Sequence, residues 1–200
     1  MIRAFFAIPL SGSIERQLIT GVDSLRKMTE QFNDIESIRW IPPKNYHITL
    51  AFLGNIQSRD VERLHELALE VIEETRQFSL GRNALRLNGS IRFSPIDWFP
   101  SALNPRLLAV VAEPCDELTR LHMILCKALS REGFQLRKSE FKPHITLARV
   151  KNVEKPVDLS SRSLSTDCNM EELVLFSSQL SPKGSLYRPL FAEALGYRLA

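Results

Sequence analysis

Two histidines and two threonines carry the chemistry this chain can offer, and they come as a repeated pattern: His47-Ile48-Thr49-Leu50 and His144-Ile145-Thr146-Leu147. The copies extend to HITLAFL and HITLARV, each follows a proline-containing stretch, and each half of the chain holds one. In a β-strand successive side chains point to opposite faces, so His and Thr share one face while Ile and Leu share the other. A lone His-x-Thr carries little meaning. A second copy with the same intervening residues does, because core packing asks only for apolar residues of about the right size and leaves His and Thr unspecified. If the halves pack face to face, two imidazoles and two hydroxyls meet in one cleft.

Histidine gives or takes a proton near neutral pH, and two of them across a substrate can act as base and acid in one turnover. Cleavage of a phosphodiester needs that pairing. One imidazole deprotonates the attacking oxygen and the other protonates the oxygen that leaves in line, while the threonine hydroxyls donate to the non-bridging phosphate oxygens. The scheme requires no metal and no cofactor. A catalytic zinc site is the main rival, but it takes three protein ligands, and neither motif has a Cys, Asp or further His at ligand spacing. A serine triad lacks its G-x-S-x-G elbow, and neither a P-loop nor G-x-G-x-x-G occurs.

The elements that must position these residues repeat as well. Residues 2–9 (IRAFFAIP) read as a buried strand ended by Pro9 and Gly12. Ser11 or Ser13 can cap the following helix, whose stripe is Ile14, Leu18, Val22, Leu25, Met28 and Phe32. Arg39-Trp40-Ile41-Pro42-Pro43-Lys44-Asn45 is a strand fragment and stiff turn delivering the chain to His47. Gly54-Asn55 reads as a turn, Ser58 as an N-cap, and Val61, Leu64, Ala68, Val71 and Ile72 as the stripe of a second helix on which His65 has a packing role. A strand is expected at about 84–93, followed by a loop with Trp98 and Pro100.

Arg106–Ala112 then reads as a strand, Pro114 suits the first turn of a third helix with stripe Leu118, Leu121, Leu125 and Leu129, and Gly133 ends it. His122, beside that stripe, is again assigned to packing. Strand, helix, His-strand thus occurs once in each half. The polar stretch from Asn152 to Asn169 reads as a surface excursion. Glu172–Ser177 reads as a strand, and the closing SPKGSLYRPLFAEALGYRL as a turn at Lys183-Gly184 and a last strand. Strands joined by short turns and interspersed with three helices predict an α+β architecture with mostly antiparallel sheets.

Composition is that of an ordinary globular chain: 200 residues, 44% hydrophobic, 24% charged. Lys and Arg number 26 against 23 Asp and Glu, a formal charge of +3 that fits a small phosphate-bearing end or loop better than a long duplex. Three cysteines, Cys115, Cys126 and Cys168, form no C-x-x-C pair and no even set, so a disulfide framework is not expected and a reducing cytoplasm is. The apolar opening, interrupted by Pro9, reads as a strand and not as a signal peptide. No apolar stretch approaches bilayer length.

The paired motifs, the opening IRAFFAIPL, the segments RWIPPKNYHITLAFLGN and FKPHITLARV, and the ending LVLFSSQLSPKGSLYRPL together resemble the 2H phosphoesterase superfamily. More narrowly they are similar to its RNA 2′,3′-cyclic phosphodiesterases, also described as 2′-5′ RNA ligases. That resemblance implies one bilobal pseudo-twofold domain over 1–200, two mostly antiparallel sheets with flanking helices and a central cleft. Half 1 (about 1–100) and half 2 (about 101–200) each carry one motif. It implies hydrolysis of a terminal 2′,3′-cyclic phosphate to a 2′-phosphate, with His47 as proton donor, His144 as proton acceptor and Thr49 and Thr146 on the phosphate. The reverse 2′-5′ ligation follows in principle. Lys142 and Arg149 are candidate substrate ligands. Arg149 follows the second motif as in many relatives, yet strict alternation puts it on the face opposite His144, so contact with phosphate needs a bulge. Phe5, Trp40, Tyr46, Trp98 and Tyr187 are candidates for stacking on a base, with core packing the competing role. The expected partners are RNA ends bearing the cyclic phosphate, tRNA fragments among them, with a monomer as the working form and neither membrane nor metal involved. The alternatives are an RNA-end binding protein that keeps the fold, or a phosphoesterase acting on a different small cyclic or 2′-5′ linked nucleotide.

Overall fold

The computed structural model describes residues 1–10, 12–29, 38–80, 90–136, 140–151, 168–181 and 184–196. Outside them lie Ser11, Phe32, Lys183, most of the strand expected at 84–93 and the polar stretch 152–167.

The all-apolar run at the start forms strand β1 (Ile2–Pro9), with Ala4 to Ile8 buried. Helix α1 (Ser13–Thr29) follows, its Ile14, Leu18, Val22 and Leu25 stripe buried as the periodicity predicts. Gly21 is tolerated mid-helix where the packing is close: a Cβ there would stand 3.4 Å from Ile96 Cδ1. Strand β2 (Ile38–Trp40) and a 3-10 turn at Pro43–Asn45 lead into β3 (His47–Ile56). Then come α2 (Asp60–Leu80), β4 (Ser90–Ile91), β5 (Asp97–Phe99), β6 (Leu107–Val111), α3 (Asp116–Arg131), β7 (His144–Val150), β8 (Cys168–Asn169), β9 (Glu172–Ser181) and β10 (Gly184–Ala194).

Eight of these strands form one antiparallel sheet in the order β10-β9-β1-β3-β7-β6-β5, with β2 paired to β7; β4 and β8 make a small second ladder. The two sheets expected from the sequence are two wings of this one. They meet at a seam where β3 and β7 share the single pair Ile48–Ile145, both side chains fully buried. Strand ownership crosses the middle of the chain: β2 pairs with β7, while the C-terminal hairpin β9-β10 pairs onto β1.

One hydrophobic core runs behind both wings and takes in the stripes of all three helices. Each buried leucine in those stripes contributes about 1.5–3 kcal/mol, which is why amphipathic spacing alone located the helices. Both packing histidines tie helix to sheet. His65 on α2 pairs with Glu193 of β10, and His122 on α3 donates Nδ1–H to the Leu50 carbonyl at 2.9 Å.

Several local expectations change. Trp98, expected in a loop, lies in β5, and α2 begins at Asp60, two residues after the expected cap Ser58. Gly54-Asn55 is not a turn, because β3 continues to Ile56. Its register against β1 passes from Ala4–Gly54 to Phe5–Phe52 with Leu53 left over, a bulge in which Gly54 takes φ +70°, a conformation open to glycine. Pro114 lies outside α3, whose N-cap is Cys115, while Gly133, at φ +82°, does close that helix.

Candidate active site

The sheet seam brings the motifs together because each supplies the strand on its own side of Ile48–Ile145. Burial along β3 and β7 follows the same sequence for the first seven residues: His and Thr partly open, Ile and Leu buried, then a buried Ala, an exposed residue and a buried one. The apolar side of each strand is held by the core. The polar side is thereby fixed toward a cleft of about 530 Å³ lined by His47, Thr49, His144 and Thr146.

The exposed sixth residue is Phe52 in β3 and Arg149 in β7, and both line that cleft. Simple alternation forbids this, and a bulge permits it. Against β1, Phe6 pairs with Ala51 and Ala7 with Thr49, skipping Leu50. Against β6, Leu108 pairs with Ala148 and Ala109 with Thr146, skipping Leu147. The same extra residue in both strands turns the next outward position back to the cleft. A sequence signal existed in the adjacent apolar pair Leu-Ala, which breaks the period of two in both copies.

The two rings are held alike. His47 Nδ1 lies 2.7 Å from the Asn45 carbonyl, and His144 Nδ1 lies 2.7 Å from the Lys142 carbonyl. A carbonyl only accepts, so each Nδ1 carries the hydrogen, and in the neutral ring Nε2 is left as the proton acceptor. For His47 that Nε2 is 3.1 Å from Thr49 Oγ1, whose hydroxyl donates to it. The proline turn sets this up: Asn45 is buried at its end, and its Nδ2 donates to the Ser185 carbonyl of β10 at 3.0 Å.

The rings differ in surroundings. His47 sits among Phe5 at 5.0 Å, Tyr187 edge-on at 5.3 Å and Phe176 at 6.3 Å between centroids. Burial in that aromatic box is the main force depressing its pKa from 6.5 to about 4; the Asn45 hydrogen bond opposes it, and the positive neighbours His144 and Arg149 add to it. Among the described residues His144 has one such neighbour, Phe99, stacked at 4.6 Å and 19°. Sequence reasoning singled out neither Phe52, Phe99 nor Phe176.

The other candidates separate. Arg149 lines the cleft. The Lys142 side chain does not: its Nζ pairs with Glu140 at 3.0 Å beside a neighbouring cavity, and its carbonyl is the part that touches His144. Of the aromatic candidates, Tyr46 and Trp98 are buried in the core, Trp40 lies against it under Arg26, Phe5 forms the floor beside His47, and Tyr187 stands in the cleft wall. Among the described residues no group of three His, Cys, Asp or Glu side chains converges on a point, and no helix is long and apolar enough to cross a membrane.

Comparison with known proteins places these features in context. The family described as LigT like Phosphoesterase matches the chain over residues 14–106 and 108–187. An Archaeoglobus fulgidus protein named RNA 2′,3′-cyclic phosphodiesterase is 27% identical over 192 residues, covering 94% of this chain and 97% of its own. A Bacillus subtilis protein of the same name is 32% identical over 145 residues, covering 72% and 69%. Among solved structures, the Thermus thermophilus protein TT0787 superposes with a TM-score of 0.75 at 25% identity, covering 97% of this chain and 98% of that one.

Proposed function

The chain belongs to the LigT-like phosphoesterase family, and from that premise we propose that it hydrolyses the 2′,3′-cyclic phosphate at an RNA end to a 2′-phosphate. The observation that carries the reading is the pair of Nε2-presenting histidines, one from each motif, in one cleft with two threonines.

Water attacks phosphorus opposite the 3′ oxygen. His144 Nε2 takes the proton from that water, and His47 Nε2–H delivers one to the departing 3′ oxygen, so the turnover ends with a 2′-phosphate, a 3′-hydroxyl and exchanged protonation states. Thr49 and Thr146 donate to the non-bridging oxygens as charge gathers there. In the free protein the protonated form of His47 is unfavourable. A bound phosphodiester anion offsets the positive field at the ring, so that His47 takes up a proton from solvent on binding, and the apolar box makes it a strong acid once charged. Joining of RNA ends through a 2′-5′ bond is the same chemistry run backward. The three cysteines are free thiols, which suits a reducing cytoplasm, and we take a monomer acting on RNA ends, tRNA fragments included, as the working form.

The test is an RNA oligonucleotide ending in a 2′,3′-cyclic phosphate, incubated with EDTA and without ATP. Parent, His47→Ala and His144→Ala proteins are compared and the product resolved as 2′- or 3′-phosphate. Turnover to the 2′-phosphate that both variants lose by about 10²–10⁴-fold supports the scheme. A folded parent that binds the end without turnover indicates the binding-protein alternative. Equal activity on a mononucleotide and on an RNA end favours a small-nucleotide phosphoesterase.

A further inference from the structure

The cleft holds more positive charge than the reacting group can answer. Besides the two histidines it is lined by Arg3 of β1, Arg39 of β2 and Arg149 of β7, and among the described residues no Asp or Glu lines it. All three arginines are exposed, and among the described residues none has a carboxylate partner. Arg39 and Arg149 are moreover direct register partners across the β2–β7 ladder. Like charges set opposite each other on neighbouring strands destabilise a sheet, so this arrangement costs the free protein stability. A cyclic phosphodiester carries one negative charge. It can satisfy the histidine pair and Arg149, whose field reaches His47, but not three guanidinium groups.

Position along the strands separates the arginines from the chemistry. Arg149 lies five residues after His144, and Arg3 faces Asn55, eight residues after His47, each step advancing about 3.3 Å. The third lies against the start of β10: a Cβ on Gly184 would fall 2.8 Å from Arg39 Nη2, so a side chain there would make the guanidinium shift. Ser178 of β9 adds a hydroxyl to the same wall.

We propose that Arg3 and Arg39, with Ser178, form a second phosphate subsite, Arg149 lying between it and the reacting centre, and that the preferred substrate carries another phosphate on the 5′ side of its terminal nucleotide. This rests on the hydrolysis reading above and narrows its substrate class. The second phosphate is either an internucleotide phosphodiester or a 5′-phosphate, and the two are separable by experiment.

Three substrates are compared at fixed salt: adenosine 2′,3′-cyclic phosphate, its 5′-phosphorylated form, and the dinucleotide ApA ending in the cyclic phosphate. The expected result is a kcat/KM about tenfold or more higher with a second phosphate, the size of a charge-assisted hydrogen bond. That ratio falls toward one in Arg39→Gln and Arg3→Gln, keeps part of its value in Arg39→Lys, and shrinks as salt rises. A gain with both phosphorylated substrates assigns the subsite to any 5′-side phosphate, and a gain with the dinucleotide alone assigns it to the RNA chain. A ratio above one that is unchanged in both Gln variants overturns the subsite while leaving the hydrolysis reading intact, and a parent that turns over all three equally overturns the subsite and favours the small-nucleotide phosphoesterase. A parent inert on all three overturns that reading and the subsite with it.

Discussion

Replacing His47 by glutamine should change how the fold responds to acid, and the size of the change follows from its surroundings. The aromatic box and the charges of His144 and Arg149 hold its pKa at about 4 against an ordinary 6.5. Each pH unit of that gap is worth about 1.4 kcal/mol, so it amounts to about 3 kcal/mol. The sign is fixed by proton uptake. Between pH 6.5 and 4 the unfolded chain binds a proton at this imidazole that the folded chain refuses, so the contribution is full above 6.5 and is lost as pH falls toward 4. Because the ring keeps partial access to the cleft, about 3 kcal/mol is an upper bound.

Urea unfolding at about pH 7 and about pH 4.5 then gives a parent that loses up to about 2.5 kcal/mol more than His47→Gln over that interval, the rest following at lower pH. NMR titration of the four histidines checks the same group directly. The resonance missing in His47→Gln should move near pH 4 in the free protein and at higher pH once a nucleoside 2′-phosphate is bound, since the anion offsets the positive neighbours. A His47 that titrates at 6.5 or above in the free protein would refute the argument that burial dominates here.

Other outcomes can be stated briefly. Thr49→Val removes the hydroxyl donated to His47 Nε2 at 3.1 Å and should lower kcat by about 10²-fold with the fold intact, read by steady-state kinetics beside a thermal melt. With bis(p-nitrophenyl) phosphate, whose leaving group departs without a proton, His47→Ala should keep most of the parent rate while His144→Ala does not; the opposite pattern would exchange acid and base. Ile48→Ala and Ile145→Ala each empty a fully buried site at the seam and should cost about 2–5 kcal/mol by urea unfolding. Phe99→Ala frees the ring stacked on His144, and a fall in kcat that Phe99→Tyr restores would identify stacking as the restraint.

Much of this site was legible in the sequence because its determinants are local. A period of two fixes which face His47 and Thr49 share, and a repeated motif marks both strands. The helices were legible for the same reason, since their stripes repeat at helical spacing. What stayed hidden is set by pairing between distant segments. Arg149 faces the cleft only because Leu147 has no partner on β6, a property of two strands and not of one. Phe99 and Phe176 reach the imidazoles from β5 and β9, and nothing in their own neighbourhoods announces it. Lys142 had suitable parity, but the fold put Glu140 within reach of its ammonium group and left only its carbonyl for His144. Strand β2 and the C-terminal hairpin attach far from their sequence neighbours, so wing membership could not be read in chain order.

The pair Ile48–Ile145 is the one register pair between β3 and β7 among the described residues. Each motif histidine is one residue from it, about 3.3 Å along its strand, whereas Arg3 of β1 lies opposite Asn55 near the far end of β3. When two plates flex about a common line, points near the line barely separate and points on the rim travel furthest. A tilt of one wing against the other about that line would change the spacing of the two imidazoles less than the width of the outer cleft. The two motif histidines thus stand where the geometry of the sheet is least sensitive to the relative tilt of its wings.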